Sequence, residues 1–203
     1  MTKPPQFSSR DASRPEFWDE RFTSQFIPWD KGGIPEAFRR YAKSSLPSTC
    51  LIPGCGNGYE AALLVSLNWD VTAIDFSPAA ITNARVLFPD LTEQFILADF
   101  FNYQPPNPIQ NIYERAFFCA LPHAYRQRIV ARWVDLLVPG GLLMGYFHIV
   151  EPSGISGPPF SINRSDLDAF LSPHFVCIED NSVSDSIPVF KDKERWMVWQ
   201  KLA

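Results

Sequence analysis

The sequence is poor in the features that mark nucleic-acid binding or membrane insertion. Its 18 Lys and Arg residues are scattered and are outnumbered by 22 Asp and Glu residues, for a net charge of −4. No basic face for a phosphate backbone is therefore expected, and nucleic acid is not an expected partner. No apolar run approaches the roughly 20 residues of a membrane-spanning helix, and the first ten residues carry prolines where a signal peptide has an apolar stretch. We expect a soluble, cytoplasmic protein with no membrane partner.

Cysteine is also scarce, and its spacing argues against a metal site. The chain has four cysteines, none of them in the paired C-x-x-C arrangement of a zinc site. Each lies in or beside an apolar run, at Cys50, Cys55, Cys119 and Cys177. We interpret them as buried free thiols in a reducing compartment, and we expect no bound metal.

The length and composition predict one globular domain. A chain of 203 residues with 46% hydrophobic residues can bury one substantial core. We expect residues 1–12 to be a disordered tail and residues 13–203 to form the domain, with lid helices over 13–46 and the core over 47–203. The Ser/Glu spacing of 13–16 is typical of a capping box and predicts a helix that runs to about Thr23. A second helix is predicted over about 35–43.

From residue 49 onward, short β-type runs alternate with helical runs. This alternation is typical of parallel βαβ units and predicts an α/β fold, a Rossmann-like, mostly parallel sheet with helices on both faces. A helix predicted over about 125–137 is expected to end at Pro139-Gly140-Gly141. The seven predicted strands lie at 50–52, 71–75, 95–99, 112–119, 142–148, 175–180 and 195–201.

A glycine-rich turn follows the first predicted strand, with Gly54, Gly56 and Gly58 in a G-x-G-x-G spacing. In a doubly wound sheet, ligands bind outside the carboxyl ends of the strands, and the first strand–helix turn approaches them closely. Glycines let the backbone contact a ligand, and the following helix N-terminus offers free N–H groups. The spacing is shorter than the dinucleotide G-x-G-x-x-G and disfavours NAD, although an ordinary tight turn would have the same pattern.

Two aspartates at successive predicted strand ends strengthen the interpretation of this turn as a site. Asp75 lies about 20 residues beyond the glycines, where a carboxylate accepts ribose hydroxyls. Asp99 occupies the same place on the third strand, within reach of an adenine amine, and Phe100 is placed to pack on the ring. Either aspartate alone would be interpreted as a cap or a solvated loop residue. Together with the glycines they predict a nucleoside-containing ligand.

An aromatic segment precedes the core, with Trp18 and Phe22 four residues apart on one helix and Trp29 in the following loop. These side chains are suited to close over a ligand and exclude water, and aromatic faces attract cations such as a sulfonium. A hydrophobic cap on the sheet is the alternative interpretation, and it applies to Trp18 more than to Trp29.

Several segments together resemble the thiopurine S-methyltransferase superfamily, which includes the plant halide and thiocyanate methyltransferases. The matching segments are FWDERF at 17–22, PWD at 28–30, IPGCG at 52–56, DFF at 99–101, RAFFCAL at 115–121 and GPPF at 157–160. The resemblance implies a class I methyltransferase fold, whose sheet has seven strands with the last antiparallel, and S-adenosylmethionine (SAM) as cofactor, with S-adenosylhomocysteine as product. By position, it places the SAM contacts on Trp18, Phe22, Trp29, Gly54, Asp75, Asp99, Phe100 and Arg115, and Gly56 joins them as part of the turn.

The resemblance implies methyl transfer to a small soft nucleophile, and a thiol is the expected acceptor. Arg115 matches the arginine of the thiopurine enzymes, where the plant halide enzymes have tyrosine, whereas residues 117–120 are closer to the plant type. Halide or thiocyanate methylation therefore stays open. Arg115 is expected to position an anionic acceptor or a cofactor carboxylate. No His-Asp pair converges on the strand ends, which fits an acceptor that needs little base catalysis.

Two functions of other classes remain as alternatives. An NAD-type oxidoreductase would use the same glycines and Asp75, but the chain has no residues left for a second nucleotide half and a catalytic domain. A SAM-binding domain without catalytic activity is the second alternative. A nucleic-acid or protein N-methyltransferase is disfavoured because residues 115–118 read RAFF where such enzymes have an Asn/Asp-Pro-Pro-aromatic segment. We expect a monomer that acts on a small molecule.

Overall fold

The computed structural model describes residues 5–154 and 156–203, over which the chain forms six α-helices and seven β-strands. The helices are α1 (Pro15–Thr23), α2 (Glu36–Ser44), α3 (Tyr59–Ser66), α4 (Pro78–Leu87), α5 (Arg126–Leu136) and α6 (Arg164–Leu171). The strands are β1 (Thr49–Pro53), β2 (Asp70–Asp75), β3 (Phe95–Leu97), β4 (Ile109–Arg115), β5 (Leu137–His148), β6 (Phe175–Ser182) and β7 (Glu194–Lys201). None of these helices combines the length and the apolar composition needed to cross a bilayer.

The strands form one sheet in the order β3-β2-β1-β4-β5-β7-β6. Strands β3, β2, β1, β4 and β5 are parallel neighbours, and β7 runs antiparallel to both β5 and β6. The expected seven-stranded sheet with an antiparallel last strand is confirmed. The order of connection reverses between β1 and β4, so the carboxyl ends of these two strands border the crevice where doubly wound sheets bind ligands.

Helices cover both faces of the sheet. Helices α2, α3 and α4 bury one hydrophobic cluster, and α5 and α6 bury the other. The two-residue period of a strand sends alternate side chains to opposite faces. On β7, Trp196 and Val198 join the first cluster, whereas Met197 and Trp199 join the second. The near-continuous apolar runs in the sequence reflect burial on both faces.

The fourth and fifth strands have different bounds from those predicted. The strand expected over 112–119 ends at Arg115 because Ala116 adopts a left-handed conformation (φ +57°) that breaks the extended backbone. The strand expected over 142–148 already begins at Leu137, and the Pro-Gly-Gly segment lies inside it. The pairing of β4 with β5 shifts register between Ile109 and Asn111, which accommodates the extra residues as a bulge.

The capping box predicted at the start of α1 is wrong. The N-cap residue is Arg14, and the described residues provide no side-chain cap there. The hydroxyl of Ser13 instead donates to Oδ1 of Asp11 at 2.7 Å. Pro15 at the first helical position has the φ that a helix start needs, so α1 begins one residue later than a cap at Ser13 would place it.

Much of the segment predicted as a disordered tail packs on α1. The N–H of Ser8 donates to Oε2 of Glu20 at 2.9 Å, and the N–H of Ser9 donates to the same oxygen at 3.1 Å. Nε1 of Trp18 donates to the carbonyl of Ala12 at 2.8 Å, and Ala12 is buried. Residues 1–4 of the predicted tail lie outside the described residues.

The first prediction concerns Gly145, which lies at the centre of β5. A Cβ added there would lie 1.8 Å from the carbonyl oxygen of Glu114, a backbone atom of β4 that cannot move aside. We expect Gly145→Ala to lower the free energy of unfolding by about 2 to 3 kcal/mol in chemical denaturation, since overpacking forces strand displacement. Gly33→Ala is the control because an added Cβ there meets no atom within 4 Å. Equal stability of the two variants would contradict the strand pairing described above.

Candidate functional site

A cavity of about 570 Å³ opens at the carboxyl ends of β1 to β4. We call it the donor cavity because the residues predicted for the methyl-donor site line it. All nine residues predicted for the cofactor site line it: Trp18, Phe22, Trp29, Gly54, Gly56, Asp75, Asp99, Phe100 and Arg115. They come from α1 and the loop after it, the β1–α3 turn, the ends of β2 and β4 and the segment after β3. Residues distant in sequence are thus brought to one concave surface, in the size range of small-molecule sites.

The turn between β1 and α3 requires glycine at two positions. Gly54 and Gly58 have φ values of +62° and +79°, in the left-handed region. A Cβ on Gly54 would lie 2.7 Å from Cδ2 of Phe117, and a Cβ on Gly58 would lie 2.4 Å from the ring of Phe95. The backbone of the turn therefore packs directly against side chains from two other parts of the chain. Its cavity side carries no side chain at Gly54, so a ligand can approach the main chain.

Asp75 ends β2 beside this turn and is buried. Its Oδ2 accepts the N–H of Gly56 at 3.1 Å, and its Oδ1 accepts the N–H of Ser77 at 3.0 Å. Burial raises the pKa of Asp75 to about 6, and these two hydrogen bonds oppose that rise. Each carboxylate oxygen has a second lone pair, so the group can still accept two hydroxyls from the cavity.

Asp99 and Phe100 occupy different environments from those expected. Strand β3 ends at Leu97, so Asp99 lies two residues beyond the strand end, and it is exposed. Its Oδ1 accepts the N–H of Phe101 at 2.9 Å, and its Oδ2 accepts from the amide of Asn102 at 2.6 Å. Phe100 is buried, with its ring centroid 5.1 Å from that of Phe117. Asp99 thus caps a turn, and Phe100 forms part of the cavity wall and of the core.

Arg115 is the last residue of β4, and its side chain is only 10% exposed. Its Nε has no hydrogen-bond partner among the residues that the structure describes and lies 4.0 Å from Oε1 of Glu194. Burial acts to lower the pKa of Arg115, but Tyr113, Glu60 and Glu194 outweigh it and raise that pKa above its usual value. The guanidinium therefore stays charged at the cavity wall.

Glu60 and Tyr113 also line the donor cavity, although they were not predicted as site residues. The Tyr113 hydroxyl donates to Oε1 of Glu60 at 3.3 Å, and both side chains are buried. Burial raises the pKa of Glu60, and the charge of Arg115 opposes the rise. The available signal in the sequence was an acidic residue within the otherwise apolar helix that follows the glycine turn.

Glu114 is a second buried acid that sequence reasoning did not assign. Its Oε1 accepts the N–H of Phe118 at 2.8 Å, and burial raises its pKa to about 8. This hydrogen bond closes the turn that begins at the left-handed Ala116. This turn places the side chain of Phe117 against Gly54.

The aromatic segment forms one wall of the donor cavity. The rings of Trp18 and Trp29 meet edge to face at 5.3 Å, and those of Phe22 and Trp29 meet at 5.9 Å. Trp18 and Phe22 are buried in a hydrophobic cluster with Ala80 of α4, whereas Trp29 is half-buried. Trp18 and Phe22 therefore serve as a hydrophobic cap and as cavity wall at once.

Polar contacts hold this segment to the sheet. Oδ1 of Asp19 accepts the Ser77 hydroxyl at 2.5 Å and the N–H of Ala79 at 3.0 Å, at the N-terminus of α4. The side-chain amide of Asn57, within the glycine turn, donates to the carboxylate of Asp30. The loop that carries Trp29 is thus hydrogen-bonded directly to the turn below it.

A second cavity of about 470 Å³ adjoins the first, and we call it the acceptor cavity because a methyl acceptor is expected to bind next to the donor. It shares Trp18, Trp29, Ala116 and Ala120 with the donor cavity. Its other lining residues are mainly apolar or aromatic, with two arginines: Arg10, Phe17, Arg21, Phe26, Pro28, Cys119, Gly157, Pro158, Pro159, Val189 and Phe190. Arg115 lines the donor cavity and is absent from this lining.

Comparison with known proteins identifies the family. The model of the thiopurine S-methyltransferase family matches residues 13–202. A probable thiol methyltransferase 2 from Arabidopsis thaliana is 30% identical over 194 residues, with 91% of this chain and 84% of that protein covered. Thiocyanate methyltransferase 1 from the same plant is 27% identical with the same coverage. The thiopurine S-methyltransferase of Vibrio atlanticus is 24% identical, with 85% and 88% covered.

Solved structures show the same fold. The 1,6-didemethyltoxoflavin-N1-methyltransferase of Burkholderia thailandensis, solved with S-adenosylhomocysteine bound, superposes with a TM-score of 0.73 at 17% identity over 93% of this chain and 87% of that one. The magnesium protoporphyrin IX methyltransferase of Synechocystis, solved with bound SAM, gives a TM-score of 0.69 at 12% identity, with 97% and 100% covered.

The second prediction concerns the hydrogen bond between Asn57 and Asp30. We expect Asn57→Ala to speed amide hydrogen exchange of residues 24–34 about fivefold, because one hydrogen bond is worth about 1 kcal/mol and this one joins the loop to the turn. Asn181→Ala is the control, since Asn181 is exposed on β6 and donates to Glu179. Unchanged exchange in Asn57→Ala would mean that other contacts hold the loop, such as the Lys31–Asp185 ion pair at 3.0 Å.

Proposed function

Because this chain belongs to the thiopurine S-methyltransferase family, we propose that it transfers the methyl group of SAM to the sulfur of a small organic thiol. The observation that carries the proposal is the pair of adjoining cavities. The donor cavity has backbone and carboxylate groups suited to a nucleoside, and the acceptor cavity has an apolar, aromatic lining with two arginine side chains. Trp18, Trp29, Ala116 and Ala120 form their common border, where donor and acceptor would meet.

The donor cavity fits SAM in its chemistry. Gly54 lines this cavity with main-chain atoms only, and the buried carboxylate of Asp75 keeps lone pairs for two ribose hydroxyls. Asp99 would accept from the adenine amine, beside the wall formed by Phe100. Gly56 donates its N–H to Asp75 and so positions the ribose partner. When bound, SAM supplies an electrophilic methyl group on a sulfonium, and that sulfur departs as a neutral thioether.

The residues of this chain contribute mainly by positioning and by excluding water. Trp18, Phe22 and Trp29 enclose the donor cavity and present aromatic faces, which attract cations. Alignment of two bound reactants is worth effective molarities of roughly 10⁵ M or more. A thiolate or other soft nucleophile needs little base catalysis, which agrees with a cavity that no histidine among the described residues lines.

The acceptor cavity favours an organic thiol over a halide. Its volume of about 470 Å³ far exceeds the space that a single halide or thiocyanate ion occupies. Its aromatic and proline side chains suit a flat apolar body, and Arg10 and Arg21 would attract an anionic group such as a thiolate. Halide or thiocyanate methylation is the second candidate, supported by the thiocyanate methyltransferase relatives.

Membership of the family removes the NAD-type oxidoreductase from consideration.

We further propose that the protein acts as a monomer, because residues of one chain line both cavities. A cytoplasmic location is supported by the cysteines, since all four are free thiols in the described part of the chain, as a reducing compartment requires. Scattered positive charge and a small concave site support a small-molecule acceptor over a nucleic acid.

The third prediction is that affinity for S-adenosylhomocysteine falls in acid through Asp75. Ribose hydroxyls donate to the ionised carboxylate, and the pKa of Asp75 is raised to about 6 in the free protein. Ligand binding should therefore be fully favoured above this pKa and weaken as the pH drops through it. We expect calorimetry to give a dissociation constant about tenfold larger at pH 5 than at pH 7.5.

Two variants isolate the effect of Asp75. Asp75→Asn should bind weakly at both pH values and lose most of the pH dependence. Asp70→Asn, at the exposed opposite end of β2, should behave as the wild type. If Asp75→Asn keeps wild-type affinity, Asp75 is not the ribose partner.

The fourth prediction tests the reaction. We expect S-adenosylhomocysteine to form from SAM with aromatic and aliphatic thiols, with turnover at least about tenfold faster for an aromatic thiol that bears a carboxylate, because Arg10 and Arg21 attract anions. Iodide and thiocyanate are the comparison acceptors. Turnover with iodide or thiocyanate alone would favour the halide function. SAM binding without turnover on any acceptor would mean a non-catalytic SAM-binding domain.

A further inference from the structure

We infer that Lys31 and Asp185 are positioning residues for the methyl acceptor, because their ion pair joins two distant segments of the chain that both form walls of the acceptor cavity. Neither side chain is among the lining residues of the two cavities, so the pair acts through its neighbours. The inference rests on the proposed function and deepens it, since it names residues that set the affinity for the acceptor without contacting it.

The first of the two segments is the loop between α1 and α2, residues 24–35. Pro28 and Trp29 of this loop line the acceptor cavity. Asp30 accepts from the side chain of Asn57, which ties the loop to the glycine turn. Lys31 comes next in the chain and donates to Asp185, 154 positions further on. The loop therefore has one anchor at the donor cavity and a separate anchor at Asp185.

The second segment is the connection between β6 and β7, residues 183–193. These strands are antiparallel neighbours, yet they are joined by far more than the roughly two to five residues of an ordinary hairpin loop. Val189 and Phe190 of the connection line the acceptor cavity. Phe190 is buried, with its ring centroid 5.5 Å from that of His148. The extra length of the connection thus supplies one wall of this cavity.

Asp185 is the residue through which the two segments are joined. Nζ of Lys31 lies 3.0 Å from Oδ2 of Asp185 and also donates to the main-chain carbonyl of that residue. The same Oδ2 accepts the N–H of Glu36, the first residue of α2, at 3.0 Å. Within residues 5–154 and 156–203, every hydrogen bond between residues 24–36 and residues 183–193 involves Asp185.

The surroundings of the pair make it stronger than an ordinary surface ion pair. The side chains of Lys31 and Asp185 are only 21% and 28% exposed, so water and salt screen their attraction less than at the open surface. Burial acts to raise the pKa of Asp185, but the N–H of Glu36 and the ammonium of Lys31 outweigh it and lower that pKa. The carboxylate is therefore ionised at neutral pH, and the pair links two segments of main chain.

Loss of this pair should affect the two cavities differently. Without it, the connection that carries Val189 and Phe190 is no longer bonded to the N-terminal loop, and the acceptor cavity loses a fixed wall. The bond from Asn57 to Asp30 remains and keeps Trp29 at the donor cavity. Binding of the acceptor should therefore weaken while binding of the donor stays the same.

The fifth prediction concerns Lys31→Met, with phenylmethanethiol as acceptor because this uncharged aromatic thiol does not depend on Arg10 or Arg21. We expect KM for the thiol to rise about fivefold, as for the loss of a well-placed ion pair, and kcat to change less than about twofold. The dissociation constant of S-adenosylhomocysteine in calorimetry should stay within about twofold of the wild-type value. Lys31→Arg keeps the charge and should restore a KM within about twofold of that value.

Two further variants test whether the pair acts as a unit. Asp185→Asn removes the charge but keeps an oxygen for the N–H of Glu36, and it should raise KM to a similar extent. The double variant Lys31→Met/Asp185→Asn should be no worse than either single variant, because both remove one contact. Arg40→Met is the matched control, since it removes an exposed ion pair with Glu36 on α2, at 3.6 Å, and should leave KM unchanged.

Amide hydrogen exchange without substrates gives a reading that does not depend on activity. Exchange of residues 183–193 should be about fivefold faster in Lys31→Met and unchanged in Arg40→Met. An unchanged KM for the thiol, equal rises in this KM and in the dissociation constant of S-adenosylhomocysteine, or unchanged exchange would overturn the inference. If the wild type methylates no thiol, the proposed function fails, and the exchange rates alone decide whether the pair holds the two segments together.

Discussion

The carboxylate of Asp75 accepts the N–H groups of Gly56 and Ser77, and the rest of the site depends on this pair of hydrogen bonds. They join the turn after β1 to the turn after β2 and hold the glycine backbone in its left-handed conformation. From that turn, the side chain of Asn57 donates to Asp30 in the loop of Trp29, and Glu60, in the first turn of α3, lines the same cavity as Arg115. Burial of Asp75 favours its neutral form, whereas the two N–H donors stabilise the ionised carboxylate, which is the form proposed to accept ribose hydroxyls.

The end of β4 divides the concave surface into two cavities. Ala116 leaves the extended conformation at φ +57°, and the carboxylate of Glu114 holds the following turn through the N–H of Phe118. As a result, Arg115 faces the donor cavity, while Ala116 lies on the border that both cavities share. One backbone torsion thus separates the side chain that would bind the donor from the surface that would bind the acceptor. In a regular strand, residues 115 to 118 would alternate between the two faces of the sheet.

Charged and apolar side chains are distributed unequally between the two cavities. The donor cavity contains buried carboxylates at Asp75 and Glu60 together with the guanidinium of Arg115, which suits a ligand with hydroxyls and opposite charges. The acceptor cavity has arginines as its charged residues and is otherwise mainly aromatic and aliphatic. Trp18 and Trp29 belong to both, and their edge-to-face contact fixes the wall between them. The N-terminal segment therefore contributes to the hydrophobic packing and to the walls of both cavities.

The class of fold and nine of the residues that line the donor cavity could be predicted from the sequence. Strand and helix periodicity is local, and glycines, strand-end aspartates and aromatic spacing are readable without a structure, so Gly54, Asp75 and Trp29 were predicted to lie at one site. Arg115 was added to that site by the resemblance to the thiopurine S-methyltransferase superfamily. Capping at Ser13 and the ends of β3, β4 and β5 were predicted wrongly. The end of β4 depends on one torsion at Ala116, and the start of β5 depends on a register shift against Ile109 and Asn111 of the neighbouring strand. The sequence did not predict that Glu60, in an apolar helix, lies beside Tyr113 and lines the same cavity as Arg115, since residues more than fifty positions apart become neighbours through the strand order. It also did not predict that Arg10 and Arg21 border a second cavity, because no local pattern records which surface a side chain shares with residues from the far end of the chain.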